Sequence, residues 1–354
     1  MIGIGLATIL VSAILAIYLL ALRKVASSQF GLAAGSSLPA LTPDDRTRYL
    51  DLAQTMGVKM IRFDLDWNAI QHGSESSYDW GPRDAVVQAA SDRGISILAD
   101  IAYTPPWARP AGTTDKYPPT NVSDYGTFCG LAARRYVPMG VHAFEVWNEP
   151  NTASFFMPSP DVVKYTQMLK ACYTAIKAVD PAATVVTGGT APAGSYDDSG
   201  SASTVNPINW LQGIYANGGG GYFDAVGHHP YSFPYDPSTV ATWSAWYQMF
   251  GTSPNLRSVM VAHGDGDKQI WATEWGAPTD GPAGSGAVSE ATQAAQLARA
   301  FSMWQTYPWA GPLFVYDFRD NGTNPASVED FFGLVRHDWS PKPAYRAYQA
   351  AAHA

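Results

Sequence analysis

An eight-stranded parallel (β/α)8 barrel of the TIM type, preceded by one amino-terminal transmembrane helix, is the fold this sequence predicts. Three observations carry it. Ile2 to Leu22 contains no charged side chain. From Gln29 onward, short runs of β-forming residues alternate with helix-period patterns, the signature of βα units on a parallel sheet. Eight such runs can be counted, the number that closes a barrel of this kind.

The apolar segment comes first. At 1.5 Å per residue, a helix over residues 2–22 spans roughly the 30 Å hydrocarbon core of a bilayer, so it is expected to contact lipid as an anchor. A signal segment is the alternative, although the basic flank and shorter core of a cleaved leader are missing. Arg23 and Lys24 follow the segment, and the positive-inside rule places such a flank in the cytoplasm. Residues 23–29 read as a short linker and 30–351 as one barrel domain.

Candidate strands are Phe30–Gly35, Met60–Leu65, Ser96–Ile101, Val141–Trp147, Thr184–Gly188, Phe223–Gly227, Gln269–Thr273 and Leu313–Tyr316. Helical patterns between them include Pro43–Met56 entered through Thr42, Arg83–Arg93 ended by Gly94, Asp161–Val179 stopped before Pro181, and Glu290–Trp304, with Tyr345–Ala351 closing the series. No internal repeat or linker marks a second domain within 354 residues. The Gly/Ser/Asp-rich stretches 193–203 and 279–286 follow the fifth and seventh strands, where loops border the mouth of such a barrel.

A net charge of −8 with no Lys/Arg block argues against a nucleic-acid partner. Aromatic residues make up 13% of the chain, with 12 Trp and 19 Tyr. Such rings stack on the apolar faces of sugars, and they also fill cores. Cys129 and Cys172 lack metal-ligand spacing and fall on successive helices, so either one bridge or two buried thiols is compatible with the sequence.

Two strand tips carry chemistry. Phe144-Glu145-Val146-Trp147-Asn148-Glu149-Pro150 ends an apolar run with an amide and a carboxyl group, and Pro150 stops the strand because it cannot donate to a ladder. Gln269-Ile270-Trp271-Ala272-Thr273-Glu274-Trp275-Gly276 again closes a hydrophobic run with a glutamate. Two carboxyl groups converging on one barrel face are the minimum equipment for hydrolysing a glycosidic bond.

With His228-His229-Pro230-Tyr231 after the sixth strand, these motifs make the chain resemble clan A glycoside hydrolases over about residues 30–350. Within that clan it is similar to family 5 cellulase-like and family 39 barrels, especially bacterial surface-polysaccharide members. The resemblance implies that Glu149 is the acid/base and Glu274 the nucleophile. It also implies an envelope glycan, such as a β-galactofuranan, as a substrate to consider. One departure stands out: many clan members place a tryptophan at the end of strand eight beneath the sugar, and this chain reads Val315-Tyr316-Asp317-Phe318-Arg319-Asp320.

The physical demands agree with that assignment. An acid must be protonated, which calls for an apolar surround such as Trp147 and Phe155, whereas a nucleophile must stay ionised among donors. Arg62 and the hydroxyl of Tyr231 are the candidate donors to Glu274, and Asn148 is expected to hold the sugar 2-hydroxyl. Glu145 shares a face with Glu149 by two-residue periodicity and is expected to be buried and paired with Arg62, which competes with Arg62's other role. Asn148 and Glu149, as neighbours, can share a site only if the strand twists or bulges at its tip. His229 is assigned to substrate or Glu149 and His228 to packing. Trp107 and Trp275 are read either as sugar platforms or as core, and Arg319 and Asp320 either as hydroxyl ligands or as a pair. The two histidines lack a third ligand at recognisable spacing, and neither metal nor cofactor is expected.

The reading is a membrane-anchored retaining β-glycosidase acting on a polysaccharide or oligosaccharide, or a secreted one if the first segment is cleaved. Action on an envelope glycan requires an extracytoplasmic barrel, opposite to the placement favoured by Arg23 and Lys24. A tethered carbohydrate-binding barrel without turnover and a transglycosylase using the same glutamates are the alternatives.

Overall fold

The computed structural model describes residues 30–195 and 203–353, and in them eight parallel strands close into a barrel in sequential order. The strands are β1 (Phe30–Ala33), β2 (Met60–Asp64), β3 (Ser96–Ile101), β4 (Ala143–Val146), β5 (Thr184–Thr187), β6 (Ala225–His228), β7 (Gln269–Trp275) and β8 (Ala310–Val315). One longer helix follows each: α1 (Pro43–Met56), α2 (Gly81–Ser91), α3 (Val122–Tyr136), α4 (Val162–Lys177), α5 (Pro207–Ala216), α6 (Leu256–Ala262), α7 (Glu290–Trp304) and α8 (Pro343–Ala352). The predicted barrel is the observed one. The apolar segment 2–22 lies outside the described residues, among which no helix is long and apolar enough to cross a membrane.

Local chemistry sets the helix ends. The Thr42 hydroxyl accepts from the Asp45 amide at 3.1 Å, Pro43 takes the first turn, and α1 stops at Gly57, whose φ of 96° suits a residue without Cβ. Ser289 caps α7 through the Thr292 amide, and Asp161 caps α4 rather than belonging to it. Every strand but β3 differs by one to three residues at an end from the expected bounds. β4 ends at Val146 because Trp147 takes φ 73° and leaves the ladder. β8 begins earlier, at Ala310, and its ladder with β7 slips twice, the extra residue falling on β8 between Ala310 and Leu313 and on β7 between Ala272 and Trp275.

A large apolar cluster fills the space between sheet and helices, while Ala33, Leu98, Ala143, Val186, Ala225, Trp271 and Phe314 plug the barrel interior. Polar side chains occupy the next layer towards the strands' carboxyl ends. The cysteines are bonded: Cys129 on α3 and Cys172 on α4 form a disulfide with Cα atoms 5.3 Å apart, which decides between the two arrangements the sequence allowed.

Candidate active site

The β4 tip departs from simple alternation, and that departure makes the site. Trp147 and Glu149 have φ of 73° and 45°, a region that costs a non-glycine residue roughly 1–2 kcal/mol. The two left-handed residues bring Asn148 and Glu149 to line the same cavity. Surrounding bonds hold the turn: the Trp147 amide donates to Ile101 O at 3.0 Å and the Glu149 amide to Gly189 O at 3.0 Å. The buried Asn151 amide donates to Ala191 O and Val205 O and accepts from the Ala191 amide. The Trp147 ring points away from the cavity, packed on Tyr103, Tyr125 and Phe156, with its indole donating to Phe155 O at 2.8 Å. Of the two aromatics expected around Glu149, Phe155 lines the cavity and Trp147 does not.

Arg62, fully buried on β2, performs both roles the sequence set in competition. Its Nε donates to Glu145, its Nη1 to Glu274 Oε1 at 2.6 Å, and its Nη2 to Asp100 Oδ2 at 3.1 Å and Asn148 Oδ1 at 2.8 Å. One guanidinium thus faces three carboxyl groups. Burial, opposed by Arg62 but reinforced by Glu145, Asp64 and Glu274, raises the Asp100 pKa well above its ordinary value.

Glu274 is the best-held carboxylate. Burial acts to raise its pKa, but His229, Arg62 and the Tyr231 hydroxyl, which donates to Oε2 at 2.8 Å, outweigh burial and hold it below the usual range. Burial, with Glu274 alongside, pushes Tyr231 well above the ordinary phenol value, so its hydroxyl stays a donor. His229 Nδ1 stands 2.9 Å from Glu149 Oε1 and 3.6 Å from Glu274 Oε2. One proton lies between the two groups: Nδ1 donates to an ionised Glu149, or a protonated Glu149 donates to Nδ1. Burial works against the charged ring, yet the two glutamates raise its pKa overall. A Cβ at Gly189 would collide with this imidazole and with Thr273, so that position requires glycine. His228 is the packed histidine: Nε2 donates to Ala245 O at 3.1 Å, Nδ1 accepts from Thr190 at 2.8 Å, and burial lowers its pKa to about 4.

The cavity holds about 390 Å³. A carboxylate oxygen of Glu149, one of Glu274 and a nitrogen of His229 lie within 4.8 Å of one another, the single such cluster among the described residues. A dication there would face the Arg62 guanidinium across Glu274 and compete with the Tyr231 proton and the one between His229 and Glu149, so the donor set suits hydrogen bonding better than metal ligation.

Four candidates are not brought to the cavity. Trp107 packs edge-on against Trp67 and donates to Gln71 O. Trp275 is buried against Trp246, on the opposite strand face from Glu274. Arg319 donates to His337 O at 2.9 and 2.6 Å and stacks over Trp339. Asp320 pairs instead with the buried Lys342 at 2.7 Å. The last two are captured by the segment entering α8, so neither of their expected arrangements holds. Tyr316 stands in the wall where a tryptophan was missed, its hydroxyl donating to Glu329 at 3.2 Å. The sequence reading also missed Asp64, Tyr103 and Glu329 as lining residues. The period-2 pattern of β2 signals Asp64, which shares the face of Arg62; Tyr103 sits on a loop and Glu329 on a short 3-10 turn (Val328–Phe331), neither with such a signal.

Comparison with solved structures returns the same architecture. A family 39 glycoside hydrolase from Bacteroides cellulosilyticus WH2 matches with a TM-score of 0.68 and 24% identity, over 93% of this chain and 64% of that one. A monomeric β-xylosidase from Caulobacter crescentus CB15 gives 0.65 and 20%, over 91% and 67%. Xylanase 10B from Thermotoga petrophila RKU-1, in complex with xylobiose, gives 0.60 and 15%, over 94% and 96%. The chain thus spans about two thirds of the length of these first two structures. No curated protein sequence matches it. The family model for cellulase, glycosyl hydrolase family 5, covers residues 25–309, and with its closed barrel and paired glutamates the chain belongs to that family of clan A glycoside hydrolases.

Proposed function

We propose that this protein is a retaining β-glycoside hydrolase acting on a polysaccharide or oligosaccharide, with Glu149 as acid/base and Glu274 as nucleophile. The observation that carries it is the pair itself: carboxyl oxygens within 4.8 Å, one of them on a group whose pKa His229, Arg62 and Tyr231 hold low. Retaining enzymes place their carboxyl groups about 5–5.5 Å apart, too close for an intervening water. In the first step Glu274 attacks the anomeric carbon while the departing oxygen takes the Glu149 proton. In the second, Glu149 removes a proton from water, the water oxygen bonds to the anomeric carbon, and Glu274 leaves with its electron pair. Asn148, oriented by Arg62, is the candidate for the sugar 2-hydroxyl. Residues 2–22 are proposed as a tether; an intact chain found in the soluble fraction after membrane sedimentation would refute this.

The test is intact mass and peptide mapping after incubation with 2-fluoro glycosides carrying good leaving groups, β-galactofuranosides included. A single glycosyl adduct on Glu274 is expected. An adduct on another carboxylate, or a product of inverted configuration, would overturn the assignment.

A further inference from the structure

The row of acids across the barrel mouth is not evenly served. Strand register aligns Asp64 on β2 with Asp100 on β3, and Asp100 with Glu145 on β4. Asp100 and Glu145 both accept from Arg62. Asp64 does not: its residue is only 5% exposed and its side chain lines the cavity, yet its carboxyl group receives no hydrogen bond from any described residue. Arg62, two residues back on the same face, has Nε and both terminal nitrogens committed elsewhere.

Neither oxygen of Asp64 is sealed off, so the group takes its donors from whatever fills the cavity, water or a ligand. Its two oxygens accept, and the cavity wall beside it carries the carboxylates of Glu149, Glu274 and Glu329. A ligand there must therefore bring hydroxyl donors without negative charge. A neutral sugar ring does so, since adjacent hydroxyls can each donate to one carboxylate oxygen, whereas a uronate would set a further carboxylate among these acids.

We propose that Asp64 is the specificity-determining residue of the glycone site, accepting hydrogen bonds from adjacent hydroxyls of a neutral sugar and rejecting sugars that lack them or carry a carboxylate. The proposal rests on the glycosidase reading. Burial, only partly offset by Arg62, lifts the free Asp64 carboxyl to about 6, and hydroxyl donors favour its ionised form on binding.

The experiment compares kcat/KM for a hydrolysed aryl glycoside, its monodeoxy analogues and the matching uronide, in the wild type, Asp64→Ala and Asp64→Asn. In the wild type, deleting one of two adjacent hydroxyls is expected to cost roughly 10- to 100-fold, the range for a charged hydrogen bond, and the uronide to be rejected. In Asp64→Ala the parent substrate loses a similar factor, but the deoxy analogues at those positions fall no further, so discrimination vanishes there and survives elsewhere. Asp64→Asn, which keeps the shape, covers the case in which the alanine variant fails to fold, and its altered preference is read on the same panel. Equal losses on every analogue in both variants would make Asp64 structural and overturn the proposal. Wild-type turnover with no positional discrimination would overturn it alone, and an absence of turnover on any aryl glycoside would overturn the glycosidase reading as well.

Discussion

Arg62 Nη1 lies 2.6 Å from Glu274 Oε1, an ion pair between a wholly buried guanidinium and a carboxylate only 13% exposed at the cavity wall. Arg62 also holds Asn148, Asp100 and Glu145, so one side chain from β2 fixes groups from β3, β4 and β7. A planar fork can do this because its N–H bonds diverge at fixed angles. The mouth of the barrel is therefore one bonded unit rather than a set of independent side chains.

Removing the fork is expected to cost stability and activity together. Arg62→Met leaves buried carboxyl groups without their cation, a change worth about 3–5 kcal/mol of stability. Arg62→Lys keeps the charge but cannot reach all four partners, and it should lose at least ~10²-fold in kcat, the usual scale for one misplaced transition-state contact. Urea unfolding and steady-state kinetics on an aryl glycoside read the two effects; wild-type kcat in Arg62→Lys would sink the argument.

Tyr231 supplies the next test, through pH. The Glu274 pKa lies below its ordinary 4.5, with His229, Arg62 and the Tyr231 hydroxyl outweighing burial. Its charge is thus present, and stabilising, above about pH 4.5 and is lost as pH falls through the lower folded value. The acidic limb of kcat/KM assigned to the nucleophile should lie below pH 4.5 in the wild type and move upward in Tyr231→Phe, which removes the 2.8 Å bond. An unmoved limb would mean that this hydroxyl does not tune Glu274.

How much of this site the sequence carried depends on the range of the physics. The barrel, the Thr42 cap of α1 and both glutamates were legible because each is signalled within a few residues: Thr42 ahead of Pro43, or Pro150 just past Glu149. The sharing of a cavity by Asn148 and Glu149 was visible only as a conflict with alternation, which the left-handed Trp147 and Glu149 resolve. Trp275 was left open between platform and core although alternation already placed it opposite Glu274. Trp107, Arg319 and Asp320 were not decidable locally, since their partners Trp67, His337 and Lys342 reach them only in the folded chain. The isolation of Asp64 is tertiary in the same sense: it shows only once the donors of Arg62 are seen to go elsewhere.

Glu149 is tested by the leaving group. If it donates the proton, Glu149→Gln should lose about 10²–10⁴-fold on substrates with poor leaving groups, the normal contribution of general acid catalysis. On a dinitrophenyl glycoside, whose anion departs without a proton, the first step should be nearly unaffected, which a burst of dinitrophenol before slow deglycosylation would reveal. Equal first-step losses on both substrates would remove Glu149 from the acid role.

Asp317 makes a stability prediction away from the chemistry. It is buried, and burial lifts its carboxyl to about 8 even though the Phe318 amide and Asn321 favour the ionised form; Glu274 and Asp320 add to the rise. The unfolded carboxyl titrates near 3.8, so between these values the folded chain holds a proton that the unfolded chain has lost. Stability from this group is full below about pH 3.8 and drains as pH rises towards 8, by about 1.4 kcal/mol per pH unit. Asp64, lifted to about 6, acts in the same direction over a narrower span. Asp317→Asn removes one titrating proton while keeping an acceptor for the Phe318 amide. Its urea-derived stability should therefore gain on the wild type steadily from about pH 4.5 to about 7.5. Parallel profiles over that range would show that Asp317 is already ionised in the folded protein.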